Sequence, residues 1–338
     1  MSKEYRIAVV GATGAVGVEM LRVMERRNFP VSQLKLLASP RSAGTTLKFR
    51  GEEIMVEPLG VNSFEGIDVA LFSAGGGISK EFAPIAVNSG AVVVDNSSAF
   101  RLQEDVPLVI PEINPGDIAR HRGIIANPNC TTAVTLMALY PLHRKFRVKR
   151  IFASSYQAVS GAGARAIEEL RHQVKALAGG EKARAEVFPH QIAFNVIPQV
   201  DGFTDSGYTK EEMKLQNEGR RIMHLPDFKA SVTCVRVPVY RAHSVAISAE
   251  FIEPVSVYEA REAIAAFPGV QVRDETTSQS YPMPLEVAGE DDCFVGRMRS
   301  DCAMENGLAF WVCGDQLLKG AALNAVQIAE ALFESKTS

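Results

Sequence analysis

Tyr5-Arg6-Ile7-Ala8-Val9-Val10-Gly11-Ala12-Thr13-Gly14-Ala15-Val16-Gly17-Val18 is the stretch on which the reading of the fold turns. Tyr5 to Val10 is an apolar run of strand length, and Val18 to Arg27 has helical periodicity. Between them three glycines in G-x-x-G-x-x-G spacing form the turn of a dinucleotide-binding strand, turn and helix. Glycines let the backbone approach a pyrophosphate, whose charge the helix N-terminus meets. An incidental glycine turn is the competing reading, and the strand before and helix after weigh against it.

Outward from this unit the pattern repeats. Gln33 to Ala38 reads as a second strand ending in Ser39-Pro40-Arg41-Ser42. An NAD site normally offers an acidic residue there for the ribose 2′-hydroxyl. Ser39, Arg41 and Ser42 suit the 2′-phosphate of NADP, although a solvated loop arginine would look the same. Val69 to Ser73 and Ala91 to Val94 read as buried strands, with a helix between them running through Val87. Such alternation predicts a parallel sheet with its ligand crevice at the strand C-termini. Arg101 follows Asp95-Asn96-Ser97-Ser98-Ala99-Phe100 at one such end, facing the crevice to pair with an anion or bonding a loop carbonyl.

Gly123-Ile124-Ile125-Ala126 leads into Asn127-Pro128-Asn129-Cys130-Thr131-Thr132, and Ala133 to Tyr140 reads as a helix. Cys130 therefore stands at a helix N-terminus, where free N–H groups and the dipole favour a thiolate. A small buried hydrophobe is the alternative for any free cysteine.

Beyond Cys130, strands are expected at Arg150 to Gln157, Ala193 to Pro198, Ser231 to Val239 and Val245 to Ile252, with further strand-like segments near Val270 and Ala309 to Val312. Ala158 to Gly163 is a glycine turn opening a helix from Ala164 to Ala178. Thr209 caps another helix with Glu212 as its capping-box partner, and Glu211 and Lys214 share a face of it. Taken alone, that pair reads as an exposed ion pair. Gln316 to Glu334 reads as a last helix returning to the first domain.

The chain has 338 residues, beyond the length at which single cores stop growing, so two domains are expected. A net charge of −3 offers no polycation for nucleic acid or membrane lipid. Five irregularly spaced cysteines make no disulfide framework, and no Cys-x-x-Cys or His-x-x-x-His pair indicates a metal. Met1-Ser2-Lys3-Glu4 leads straight into the first strand without a signal peptide, which predicts a cytoplasmic protein.

From end to end the sequence resembles the aspartate-semialdehyde dehydrogenase family. The resemblance rests on Gly11 to Gly17, Asn96 to Arg101, Asn127 to Thr132, Gln157 to Gly163, Arg236-Val237-Pro238-Val239 with Arg241 and His243, and Gly314 to Ala322, in that order. It implies an α/β chain: an N-terminal Rossmann-type parallel-sheet domain of residues 1–129 with 315–338, plus an α+β catalytic and dimerisation domain with a mixed sheet, residues 130–314. It also implies NADP, inorganic phosphate as co-substrate, a homodimer or homotetramer, and a place in lysine, threonine, methionine and isoleucine biosynthesis.

By the same resemblance Cys130 would hold the substrate as a thioester, His243 would be the general acid/base and Gln157 the orienting amide. Arg236 would clamp the α-carboxylate, Glu211 would meet the α-ammonium, Arg101 and Lys214 would hold phosphate, and Asn129 would join the substrate contacts. Gly11, Thr13, Gly14, Ala15, Val16, Ser39, Arg41, Ser42, Ser160, Gly161 and Gln316 would bind the cofactor. The residue chemistry is compatible: a thiolate adds to a carbonyl, histidine exchanges protons near neutrality, and a guanidinium grips a carboxylate bidentately. Three other readings stand beside this one. They are an N-acetyl-glutamyl-phosphate reductase, whose motif around the cysteine differs, a nucleotide-dependent binding module with a redox-sensitive thiol, and a reductase passing the acyl group to coenzyme A.

Overall fold

A computed structural model describes residues 4–335. The expected lead-in Met1-Ser2-Lys3 and the last three residues of the expected closing segment, 336–338, lie outside the described residues. The chain divides into two units, one running to Asn129 and resuming at Ala321, the other Cys130–Gly320.

The first unit follows the expected alternation: β1 (Tyr5–Val10), α1 (Ala15–Arg26), β2 (Val31–Ala38), β3 (Thr46–Phe49), β4 (Glu52–Pro58), β5 (Val69–Phe72), α2 (Gly76–Asn88), β6 (Val92–Asp95) and β7 (Ile124–Ala126). The strand order is β3-β4-β2-β1-β5-β6-β7, parallel throughout except for the β3–β4 hairpin. The order reverses at β1, so the crevice of a doubly wound sheet opens where β1 and β5 end. Gly11 lies there with φ +81°, and a Cβ on it would meet the Ser73 carbonyl oxygen at 2.5 Å, so the β1 turn is pressed against the end of β5. Tyr5, Ile7, Val9 and all of β5 and β6 are buried, as strands covered on both faces must be.

The second unit comprises α3 (Cys130–Phe146), β8 (Val148–Gln157), α4 (Ala164–Ala178), α5 (Lys210–Ile222), β9 (Lys229–Arg236), β10 (His243–Phe251), α6 (Val257–Ala265), β11 (Val270–Val272), the single turn α7 (Pro284–Val287), β12 (Cys293–Ser300) and β13 (Gly307–Gly314). Its sheet is mixed, in the order β11-β12-β13-β10-β8-β9, with β8–β9 and β11–β12 parallel and the rest antiparallel. The buried helix α3 packs against β8, β10, β12, β13, α5 and α6. The opposite sheet surface carries Phe152 and Tyr156 exposed, with Trp311 5.3 Å from the Tyr156 ring.

Two expected elements change. Ala193 to Pro198 is no strand; it touches β9 only through one bridge, Ile197 to Arg236, because β9 is the sheet edge and the segment turns away after one pairing. The closing helix does not start at Gln316. Asp315 and Gln316 spend their side chains on neighbouring backbone, Leu318–Ala322 forms a π-helical turn, and α8 runs Leu323–Ser335 in the first unit. There it packs on α1, β5 and β6.

Candidate active site

Three neighbouring strands of the second unit finish at one edge. Gln157 ends β8 and Arg236 ends β9 as its partner in parallel register; β10 runs the other way, so His243, its first residue, lies at the same end. Strand alternation turns Ile151, Ala153, Ser155 and Gln157 inward on β8, and Val232, Cys234 and Arg236 inward on β9. Cys130 is the first residue of α3, and its Sγ lies 3.5 Å from His243 Nε2. Gly320 permits the packing around it, because a Cβ there would sit 2.7 Å from that of Cys130.

His243 is fully buried. Its Nδ1 accepts the Ala158 N–H at 3.1 Å, while the Ala158 carbonyl accepts Arg236 Nη1 at 2.7 Å. Burial first, and the Arg236 guanidinium second, hold His243 well below the ordinary histidine range. Burial also works against the charge of Arg236, opposed by the Cys130 sulfur and the Glu211 carboxylate. The guanidinium lies 5.7 Å above the Phe188 ring. A side chain on Gly161 would run into both Arg236 Nη1 and the His243 ring at 3.1 Å.

Gln157 is held from two sides: its Oε1 accepts from Ser155 Oγ at 2.9 Å, and its Nε2 donates to Glu211 Oε1 at 3.1 Å. The other Glu211 oxygen accepts from Lys214 Nζ at 2.7 Å, and Lys214 also reaches Asp201 at 3.2 Å. Glu211 is buried, so the reading of this pair as an exposed surface bridge does not hold. The expected capping box at Thr209 and Glu212 is present and fixes the turn that carries both residues. Ser160 and Gln316 are also brought together: Gln316 Nε2 donates to Ser160 Oγ, and its Oε1 accepts the Ala242 N–H at 2.8 Å.

The remaining candidates belong to the first unit. Gly14 precedes α1 with no side-chain cap, so the first N–H groups of Ala15, Val16 and Gly17 are left for an anion, and Ala15 and Val16 stay only half-buried. Thr13 is exposed beside them. Ser39 and Arg41 are exposed and Ser42 half-buried in a turn just past β2. A glycine cradle, an uncapped helix and a hydroxyl–guanidinium turn at adjacent strand ends fit a dinucleotide. Asn129 is buried at the end of the unit. Arg101 is buried, donating to the Asn127 carbonyl at 2.8 Å and the Asn96 carbonyl at 2.7 Å, the carbonyl-bonding arrangement that stood beside the anion-pairing one. Lys214 belongs to the other unit.

Sequence reasoning passed over Ser155, Ala158 and Asp201. Ser155 was accessible through the period-two pattern, as a polar residue on the inward face of β8. Ala158 acts only through its peptide groups, and Asp201 comes from an irregular loop, so neither has a sequence signal.

A thiol beside an imidazole with a buried guanidinium and carboxylate in the second unit, and a dinucleotide cradle in the first, are the parts of a nucleotide-linked dehydrogenase. Residues 6–121 match the family model described as "Semialdehyde dehydrogenase, NAD binding domain" and 139–319 the one described as "Semialdehyde dehydrogenase, dimerisation domain". An aspartate-semialdehyde dehydrogenase of Aquifex aeolicus is 54% identical over 98% of both chains, and one of Bacillus subtilis is 48% identical over 98% of both. A crystal structure of aspartate semialdehyde dehydrogenase II from Vibrio cholerae, complexed with ASA, superposes with a TM-score of 0.95 at 43% identity, covering 98% of this chain and 99% of that one. The chain belongs to the aspartate-semialdehyde dehydrogenase family.

Proposed function

We propose that the protein reversibly converts L-aspartyl 4-phosphate to L-aspartate 4-semialdehyde and phosphate with NADPH, through a thioester on Cys130. The observation that carries this reading is the 3.5 Å approach of Cys130 Sγ to His243 Nε2 beside the buried Arg236 and Glu211. In the biosynthetic direction the thiolate attacks the acyl phosphate, the C–O bond breaks and phosphate leaves. When bound, the nicotinamide supplies the hydride that releases the aldehyde. His243 is the general acid/base, exchanging a proton with the sulfur and the carbonyl oxygen, and Gln157, gripped by Ser155 and Glu211, orients the acyl group. Arg236 takes the α-carboxylate and Glu211 the α-ammonium, opposite charges on opposite substrate groups. Arg101, Lys214 and Asn129 serve phosphate and substrate.

The glycine turn with Thr13, Ala15 and Val16 would hold the pyrophosphate, Ser39, Arg41 and Ser42 the 2′-phosphate, and Ser160, Gly161 and Gln316 the nicotinamide end. Residues 1–129 with 315–338 would form the NADP domain and 130–314 the catalytic one. The Phe152, Tyr156 and Trp311 face of the second sheet suits a homodimer, two of which could make a tetramer. A reactive thiol favours a reducing cytoplasm, and the product would feed lysine, threonine, methionine and isoleucine synthesis.

The test supplies aspartate semialdehyde, NADP and phosphate, then omits each in turn. NADPH should form only with all three present, and coenzyme A should not replace phosphate. Cys130→Ala should lose turnover while still binding NADP; steady-state activity in that variant would defeat the covalent mechanism.

A further inference from the structure

Glu169 and Gln173 are polar residues on the buried face of α4, set among Ala166 and Leu170 at helical spacing. Both turn their side chains onto the irregular chain that follows the helix. Glu169 Oε2 accepts the Glu186 N–H at 3.0 Å and also the Val187 N–H, while its Oε1 accepts the Phe188 N–H at 3.5 Å. Gln173 Oε1 accepts the Ile192 N–H at 2.9 Å and the Ala193 N–H at 3.0 Å. Its Nε2 donates to the Arg184 carbonyl at 2.8 Å and to Glu169 Oε1 at 3.1 Å. Among the described residues neither helix nor strand lies between α4 and α5. These two side chains supply the partners that secondary structure would otherwise give the backbone.

The segment so held reaches Arg236 twice. Ile197 and Arg236 exchange both backbone hydrogen bonds, at 2.9 and 2.8 Å, which fixes where the arginine leaves the sheet. Phe188, in one apolar cluster with Leu170, Ile192 and Ile197, lays its ring against the guanidinium, with Cζ 5.7 Å from the centroid. The third constraint is the Ala158 carbonyl, 2.7 Å from Nη1. Among the described residues no carboxylate bonds Arg236, so the guanidinium is oriented without being neutralised.

We propose that Phe188 is a positioning residue for the carboxylate clamp, its ring fixing the plane in which Arg236 presents its fork, and that Glu169 and Gln173 hold the ring there. This rests on the reading of Arg236 as the group that takes the α-carboxylate. A planar fork grips a carboxylate bidentately only when its plane is set, and a long arginine side chain has many rotamers to lose. The negative face of a ring attracts the cation without using any N–H. A protein carboxylate in the same place would hold the guanidinium too, but would compete with the carboxylate of the substrate.

The test uses the full-length enzyme with aspartate semialdehyde, NADP and phosphate. Phe188→Leu keeps apolar bulk but no ring face. It should raise KM for aspartate semialdehyde about 5- to 30-fold, the worth of a desolvated cation–π pair, with kcat and KM for NADP little changed. Phe188→Tyr, or Phe188→Trp if the first does not fold, restores a ring and should recover most of that loss. Glu169→Ala, or Gln173→Ala in its place, should raise the same KM and speed tryptic cleavage after the exposed Lys182 and Arg184, which Phe188→Leu should not do. An unchanged KM in Phe188→Leu overturns the proposal, as does a ring-restoring variant no better than Phe188→Leu, or an equal rise in KM for NADP. Wild-type cleavage and KM in the α4 variants overturn the part given to Glu169 and Gln173. Arg236→Lys separates the two readings: a raised KM there beside a normal Phe188→Leu removes this proposal alone, and an unchanged KM in Arg236→Lys removes the clamp as well.

Discussion

Five cysteines of this chain have the same thiol in different surroundings. Cys130 is half-buried at the start of α3, Cys302 is exposed, and Cys234, Cys293 and Cys313 are buried. Burial pushes the Cys234 and Cys313 thiols up to about 12, so they stay protonated and unreactive at neutral pH. Iodoacetamide on the folded enzyme should therefore label Cys130 and Cys302 and spare the other three, as read by peptide mass mapping. Activity should follow Cys130 labelling alone, and Cys302→Ser should retain it. Labelling of Cys234 at a rate matching Cys130 would contradict the burial argument. At this scale the placement of Cys130 at the opening of a helix was legible, because a helix N-terminus shows in sequence. What surrounds His243 was not, because its partner at Nδ1 is a backbone N–H that any residue except proline would supply.

Helix α5 shows how an element sets the position of a site. Thr209 Oγ1 accepts the Glu212 N–H at 3.3 Å, Glu212 Oε2 accepts the Thr209 N–H at 2.6 Å, and Glu212 Oε1 accepts the Cys234 N–H on β9 at 2.9 Å. The cap thus ties the turn bearing Glu211 and Lys214 to the strand bearing Arg236. Thr209→Ala should cost about 1 kcal/mol in denaturant unfolding and raise KM for substrate and phosphate more than it lowers kcat. A KM unchanged beside the stability loss would mean the cap holds the helix but not the site. The cap was readable three residues apart in sequence. The β3–β4 hairpin was missed because Thr46 to Pro58 mixes charged and apolar residues without clean alternation. Ala193 to Pro198 was misread because a short apolar run has the same composition whether it pairs with a strand or touches it once.

For the whole molecule, two properties follow from burial. His243 and His143 are both held below the ordinary range, by burial foremost, aided by Arg236 for His243 and Arg147 for His143. The unfolded chain therefore binds more protons than the folded one once pH drops below about 6.5, so stability is full above that value and declines as pH falls. The slope from His243 alone reaches about 1.4 kcal/mol per pH unit. Chemical unfolding between about pH 6.5 and 5 should show this decline, and His243→Asn should flatten it; an unchanged slope would show that His243 is not linked to folding. The second property is assembly. Phe152 stands about half exposed at 49% on a sheet face that also carries Tyr156 and Trp311. Phe152→Glu should shift the protein toward a monomer in light scattering, and a mass equal to the wild type would move the proposed interface elsewhere.

Local pattern was enough for the glycine turn, the alternation of strands and helices in the first unit, the cap of α5 and a cysteine opening a helix, because each depends on residues within a few positions of one another. Tertiary structure alone decided which strand ends coincide. Gln157 is far in sequence from Arg236 and His243, and the three meet because β8 and β9 run parallel while β10 runs against them. Register and direction are set by the packing of whole sheets, and through them a backbone N–H at Ala158 comes to meet Nδ1 of His243.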